Sequence, residues 1–279
     1  MRAWIACFLV FGGVGSSLRA QEANPWPDLP KFVVIAHRGE HLRHHENTLE
    51  AIEGAIAAGA DFVELDIRKT SDGQYMLMHD SSVDRMTDGH GKVSEMPWDE
   101  LRTLRVQDKR LTNVPPSRIP LFSEALKACS GRIRLYLDFK SGDPVKVAAL
   151  LRAAGMVSNT MVYDSPDHVD GWRKAQPDIG FILGTPDAVR KNPAALKTFV
   201  ERYRPTALDG EWEEWQPAVL EAAPATGTRV WPDIQSSKES PDYWTKVLSK
   251  GLKGAQSDHP AEFIQWLKAK GLRSRSNST

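Results

Sequence analysis

The chain has 279 residues, with 36 basic and 36 acidic side chains giving a formal charge of +0, and it carries only 2 cysteines. Without a basic excess it offers no electrostatic footprint for nucleic acid and no polybasic patch for an anionic membrane, so a small-molecule partner is expected. Two small domains or one α/β barrel of about 250 residues would both suit this length, and the order of elements has to choose.

The chain begins with Arg2, an apolar run over residues 3–14 and a small residue at Ala20. That pattern predicts a signal peptide over residues 1–20, cleaved after Ala20, and an exported protein that is periplasmic or extracellular. The run falls short of the ~20 apolar residues a spanning helix needs, so no stable membrane insertion is expected, and Cys7 lies too near the start for a lipoprotein box. Cys129 then remains alone, which excludes an internal disulfide and assigns it to packing. Residues 21–30 hold three prolines and read as an exposed lead-in.

From residue 31 short apolar runs alternate with helical patterns. Strands are predicted at 33–36, 62–67, 75–78, 133–139, 160–163, 180–183, 206–208, 228–231 and 254–257. Helices are predicted at 48–58, 122–128, 145–154, 166–175, 194–203, 218–223, 243–248 and 261–270. Repeated strand-then-helix order without a composition break favours a single (β/α)8 TIM barrel over residues 31–272, with a doubly wound open sheet as the alternative. The segment between Ile67 and Tyr75 holds only an Asp72-Gly73 turn, too short for a crossover helix, so the barrel should be irregular around its second and third strands. Residues 80–120 carry one short helical pattern at 98–104 and read as a small insertion beside the mouth. Residues 273–279 read as a disordered polar tail.

Strand alternation places Glu64 and Asp66 on one face and Val63, Leu65 and Ile67 on the other. If the apolar set meets the helices, both carboxylates point into the barrel, where they need a cation or hydrogen-bond donors. The competing reading is a pair of strand-end carboxylates that are solvated or paired with arginine. The strand at 133–139 repeats the device, with Asp138 and Lys140 opposite Leu135, Leu137 and Phe139. That suits either an oxygen-ligated hard cation beside a phosphate oxygen or a plain internal ion pair. His37-Arg38 closes the first strand and His79-Asp80 the third. Two histidines brought to one mouth could serve as acid and base near neutral pH, although a lone histidine is more often structural. Trp212 and Trp215 read either as a cage for a choline-like cation or as rim packing. His41, His44 and His45 read as a solvated loop before they read as a second metal site.

The runs Ile35-Ala36-His37-Arg38-Gly39, Glu46-Asn47-Thr48, Ala58-Gly59-Ala60-Asp61-Phe62-Val63-Glu64-Leu65-Asp66 and His79-Asp80 together resemble the signature of glycerophosphodiester phosphodiesterases. The resemblance is continuous over residues 32–104, recurs at 137–140, and returns more weakly at Val230-Trp231 and 254–260. It implies a phosphodiesterase barrel in which Glu64, Asp66 and Asp138 hold one divalent cation, magnesium or calcium. It also implies His37 and His79 as the acid/base pair, Arg38 and Lys140 on the substrate phosphate, and Glu46 and Trp231 as supporting or substrate-lining residues. Departures fall at His45, where the family commonly has proline, at Asp138, commonly glutamate, at Pro232-Asp233-Ile234, and at Ser257-Asp258-His259-Pro260. Cleavage by a substrate's own hydroxyl, as in sphingomyelinase D-type barrels, and a non-catalytic phosphate- or sugar-binding barrel are the competing functions.

Overall fold

Period-two alternation in short β-branched runs makes the strands, and residues that stop them make the turns into the helices. In a computed structural model, which describes residues 26–273, these runs form eight parallel strands: β1 Val33–Ala36, β2 Phe62–Lys69, β3 Arg134–Phe139, β4 Thr160–Tyr163, β5 Gly180–Gly184, β6 Ala207–Asp209, β7 Arg229–Val230 and β8 Gly254–Ser257. They neighbour one another in the order β7-β6-β5-β4-β3-β2-β1-β8. The circle is nearly closed. Between β7 and β8 the ladder is reduced to an Asp233–Gln256 bridge, with the Gln256 N–H donating to the Pro232 carbonyl at 3.0 Å.

The principal helices are α1 Leu49–Ala58, α2 Phe122–Cys129, α3 Pro144–Ala153, α4 Val169–Ala175, α5 Pro193–Tyr203, α6 Pro217–Ala222, α7 Pro241–Ser249 and α8 Pro260–Ala269. Thr48 caps α1 by accepting the Ala51 N–H, and Gly59 ends it in the left-handed region at φ 83°. The third expected strand, at 75–78, forms over Tyr75–Leu77 and is not a barrel stave. It pairs antiparallel with β2 as the tight return that the Asp72-Gly73 turn requires. Residues 78–120 fold over this hairpin on their own apolar cluster, which includes Met78, Val83, Met86, Leu101 and Ile119.

Two cores follow from the alternation. Val63, Leu65, Ile67, Leu135 and Leu137 pack outward against the helices. Inside the barrel lie Val33, Ile35, Phe62, Tyr136, Met161, Ile182, Ala207 and Trp231. Cys129 is buried and unpaired, and burial pushes its thiol up to about 12, in keeping with a packing role.

Two terminal expectations change. The signal peptide and residues 21–25 of the lead-in lie outside the described residues, but Trp26 is not exposed. Its ring meets Phe62 edge-on at 5.1 Å and its indole N–H donates to the Ser158 carbonyl at 2.8 Å, closing the floor of the barrel. Arg273, expected in the tail, pairs with Asp61 at 2.6 Å and donates to the Gly59 carbonyl. Residues 274–279 lie outside the described residues.

Candidate active site

The adjacent strands β2 and β3 bring the expected carboxylates together. Oxygen atoms of Glu64, Asp66 and Asp138 all lie within 4.8 Å of one another, with Glu64 and Asp66 buried. Parallel pairing of β2 with β3 sets Asp66 directly beside Asp138. Burial first, then the charges of Asp66 and Asp138, push Glu64 well above its usual range. Burial, and then the charge of Asp66, push Asp138 up to about 6 against the pull of Lys140. An all-oxygen, negatively charged donor set of this kind fits a hard divalent cation such as magnesium or calcium.

Cations sit on the same residues. Lys140 Nζ is 2.6 Å from Asp138 Oδ2 and 3.2 Å from Asp66 Oδ1. Burial works against its charge, and the two aspartates outweigh burial, raising it. Arg38 Nε lies 3.7 Å from Asp66 and has no hydrogen-bond partner although buried, which leaves a donor for an anionic ligand.

The loop after β1 is shaped by backbone strain. Arg38 and Asn47 both adopt positive φ, 52° and 57°, a conformation that costs energy outside glycine. The strain turns the Arg38 N–H onto Glu64 Oε2 at 2.7 Å. The Asn47 side chain, in turn, donates to Asp66 Oδ2 at 2.7 Å and accepts the Asp66 N–H at 3.0 Å. Gly39 follows at φ 85°, where a Cβ would meet Ala51 at 2.6 Å, so the turn admits only glycine.

Each histidine is held by a carboxylate through Nδ1. His37 Nδ1 is 2.7 Å from Asp258 Oδ1, and His79 Nδ1 is 2.7 Å from Asp80 Oδ1. Both rings thus keep Nε2 for other chemistry. Burial lowers the His37 pKa, with Asp258 offsetting part of the effect. Glu239 receives the Asp258 N–H at 2.7 Å and the Ser257 hydroxyl at 2.5 Å, fixing the segment that carries Asp258.

Glu46 supports the site through arginines. Arg38 and Arg85 both donate to its two oxygens, at 2.7–3.1 Å. Burial would raise its carboxyl, and the two guanidiniums more than offset this, leaving it low. Arg85 also pairs with Asp80 at 2.6 Å, so one network runs from Arg38 through Glu46, Arg85 and Asp80 to His79. Asp258, Asn47 and Arg85 were given no role from the sequence, although Asn47 stands in the Glu46-Asn47-Thr48 run. The Ser257-Asp258-His259-Pro260 run was the one available signal for Asp258.

Two expectations are corrected by position, and one open choice is decided. Trp231 does not line the mouth. It is buried in the barrel interior beside Phe62 and borders a cavity of 370 Å³ at the opposite end, with Trp26, Arg229 and Lys253. Trp212 and Trp215 belong to the outer core, the Trp212 indole donating to the Tyr243 hydroxyl at 2.7 Å, so they form no cage. The histidine loop is not solvated, since His41 and His45 are buried. His45 ties it to the insertion, its Nε2 bonded to the Pro115 carbonyl and its Nδ1 accepting the Asp108 N–H at 3.0 Å. His41 joins His37 and Asp258 in a second compact group of possible ligand atoms.

The barrel and mouth define a class of (β/α)8 protein with its ionisable residues at the C-terminal ends of the strands. The family model for the glycerophosphoryl diester phosphodiesterase family matches residues 37–262, and the chain belongs to that family. It is 43% identical over 119 residues to glycerophosphodiester phosphodiesterase 1 of Mus musculus, covering 42% of this chain and 36% of that protein. With the glycerophosphodiester phosphodiesterase of Caldanaerobacter subterraneus subsp. tengcongensis it shares 36% over 113 residues, 40% of this chain and 46% of that one. The matched segments thus span less than half of these curated relatives. Among solved structures, a glycerophosphodiester phosphodiesterase from Agrobacterium tumefaciens superposes with a TM-score of 0.73 at 25% identity, covering 84% of this chain and 99% of that one. An Oleispira antarctica phosphodiesterase, solved with sn-glycerol-3-phosphate as product, superposes at a TM-score of 0.74 and 21% identity, covering 88% and 99%, and supports the fold.

Proposed function

We propose that the protein is a metal-dependent phosphodiesterase that hydrolyses glycerophosphodiesters to glycerol 3-phosphate and an alcohol. The observation that carries this reading is the pair of histidine–carboxylate couples flanking a buried three-carboxylate cluster. Glu64, Asp66 and Asp138 are the residues that would hold the divalent cation, magnesium or calcium. Held there, it would supply Lewis-acid chemistry that offsets negative charge on the phosphoryl group.

The chain's own residues do the rest. Arg38, with a free Nε donor, and Lys140 orient the phosphate and neutralise charge that develops on its equatorial oxygens. Asp258 keeps a proton on His37 Nδ1, leaving the Nε2 lone pair outward. Because burial keeps the ring uncharged at neutral pH, His37 is assigned as the base that takes a proton from water. His79, oriented by Asp80, is assigned as the acid that returns a proton to the departing alkoxide. Asn47 and Glu46 hold Asp66 and Arg38 in place.

Among the described residues the exposed large hydrophobic side chains are Val145 and Leu272. A surface without an exposed apolar patch among these residues favours a water-soluble headgroup diester over a lipid. The leader at residues 1–20 supports export, with action in the periplasm or outside the cell. A substrate screen with product identification, run with magnesium, calcium or chelator, tests the reading. Glycerol 3-phosphate plus free alcohol, lost on chelation, is the expected result. A cyclic phosphate product would instead show attack by the substrate's own hydroxyl, and binding without turnover would show a non-catalytic barrel.

A further inference from the structure

Across the mouth from the carboxylate cluster lies a second acidic group that the proposed chemistry does not use. Asp209 ends β6, Asp233 follows β7, and Gln256 lies on β8. Asp233 Oδ1 accepts from the Gln256 amide at 2.8 Å and the Gln235 amide at 3.0 Å. Asp209 Oδ2 accepts the Tyr136 hydroxyl at 3.3 Å. Tyr136 is the register partner of Glu64, so this bond crosses the lumen from the proposed metal site.

The group is rich in acceptors and lacks a cation. Asp209 Oδ1 and Gln256 Oε1 are buried with no hydrogen-bond partner, each on a side chain only 5% exposed. Among the described residues no lysine, arginine or histidine forms an ion pair with Asp209 or Asp233. Burial pushes Asp209 up to about 7, and burial with the Asp209 charge pushes Asp233 well above its usual range. Unpaired buried acceptors are costly unless a ligand supplies donors. Hydroxyl groups would supply donors but no charge to draw the two carboxyls back into their ionised form, and a quaternary ammonium would supply charge but no donor. A primary ammonium supplies both.

We infer that Asp209, Asp233 and Gln256 form a subsite for a primary ammonium group carried by the alcohol portion of the diester. This rests on the phosphodiesterase reading above and narrows its substrate to aminoalcohol diesters such as glycerophosphoethanolamine. Asp233 occupies the Pro232-Asp233-Ile234 stretch where the sequence leaves the family pattern, so the preference belongs to this chain's own residues.

The test compares kcat/KM of the full protein for glycerophosphoethanolamine, glycerophosphocholine and glycerophosphoglycerol, with bis(p-nitrophenyl) phosphate as a diester lacking any amine. The expected result is a preference of about tenfold or more for the ethanolamine diester over the other two glycerol diesters, since a site built for donors rejects analogues lacking them. Asp209→Asn and Asp233→Asn should each reduce that preference ratio about tenfold, chiefly through KM. Should the variants fail to fold, inhibition of the unaltered protein decides. Ethylammonium should compete at concentrations where tetramethylammonium and ethylene glycol do not. Equal turnover of the three glycerol diesters, or equal inhibition by the three small molecules, overturns the subsite while leaving the phosphodiesterase reading intact. Absence of turnover on every diester, the aryl one included, defeats the phosphodiesterase reading itself.

Discussion

Replacing Asp138 by asparagine should stabilise the metal-free protein while weakening its response to metal. The Asp138 carboxyl is pushed from 3.8 up to about 6 by burial and by Asp66, and its side chain is only 16% exposed. Because the folded protein holds this proton more tightly than the unfolded chain, ionisation opposes folding. Stability present below about pH 4 is lost as pH rises through about 6, and a difference of about two pH units corresponds to ~3 kcal/mol. In chelator at pH 7.5, Asp138→Asn should therefore melt higher than the parent by up to about 6–12 °C, at the usual ~2–4 °C per kcal/mol for a chain of this size. The gap should shrink at pH 4.5, where the parent carboxyl is protonated. Adding magnesium or calcium to about 100 times Kd should raise the parent by ~2.7 kcal/mol and the variant by much less. Calorimetry at the two pH values, with chelator and with metal, reads all four quantities. If the variant melts no higher than the parent in chelator at pH 7.5, Asp138 is not held against like charge and the argument for a cation there collapses.

Other outcomes follow from the same geometry. His37→Ala and His79→Ala should each slow turnover on the order of 10²-fold or more, and an activated aryl leaving group should rescue only the variant that has lost the acid, expected to be His79→Ala. Near-parental rates for either variant on both kinds of diester would remove that histidine from the mechanism. Asp258→Asn removes the partner that props up the His37 pKa. The acid limb of the kcat/KM profile should consequently move to lower pH, whereas a merely structural role would lower rates without moving the limb. Asp138→Glu should retain activity, because the longer side chain keeps an oxygen ligand. A loss as deep as that of Asp138→Ala would show that the cluster tolerates only the shorter reach.

What could be read from the sequence was what period-two alternation dictates. Glu64 and Asp66 on one face of β2, and Asp138 on the matching face of β3, need only local geometry plus burial of Val63, Leu65, Leu135 and Leu137 on the other side. Parallel register did the rest. The partners of those residues were hidden because they arrive from far along the chain: Asp258 reaches His37 across 221 positions, and Asp108 meets His45 across 63. Such contacts depend on how loops close, which no local pattern specifies. Trp26 was misjudged for a related reason, since three nearby prolines signal irregular backbone but say nothing of where one large ring finds a cavity. Trp231 was placed among the supporting or substrate-lining residues by the resemblance, and Trp212 was left between a cage and rim packing, because a large ring near a strand end can turn to the mouth, the lumen or the outer core; burial of the apolar area turned both away from the mouth. The gap between β7 and β8 was equally invisible, as it depends on both neighbours at once.

Trp26 and Arg273 have a practical corollary. Both are fastened to the floor of the barrel, one against Phe62 and Ser158 and the other to Asp61 and Gly59, while the ionisable residues open at the far end. Anything joined to either end of residues 26–273, whether an affinity handle, a fluorescent reporter or a linker to a solid support, departs from the back of the molecule. A protein immobilised through such a linker presents its mouth to the bulk solution, and diffusion of a diester into it is not shadowed by the support.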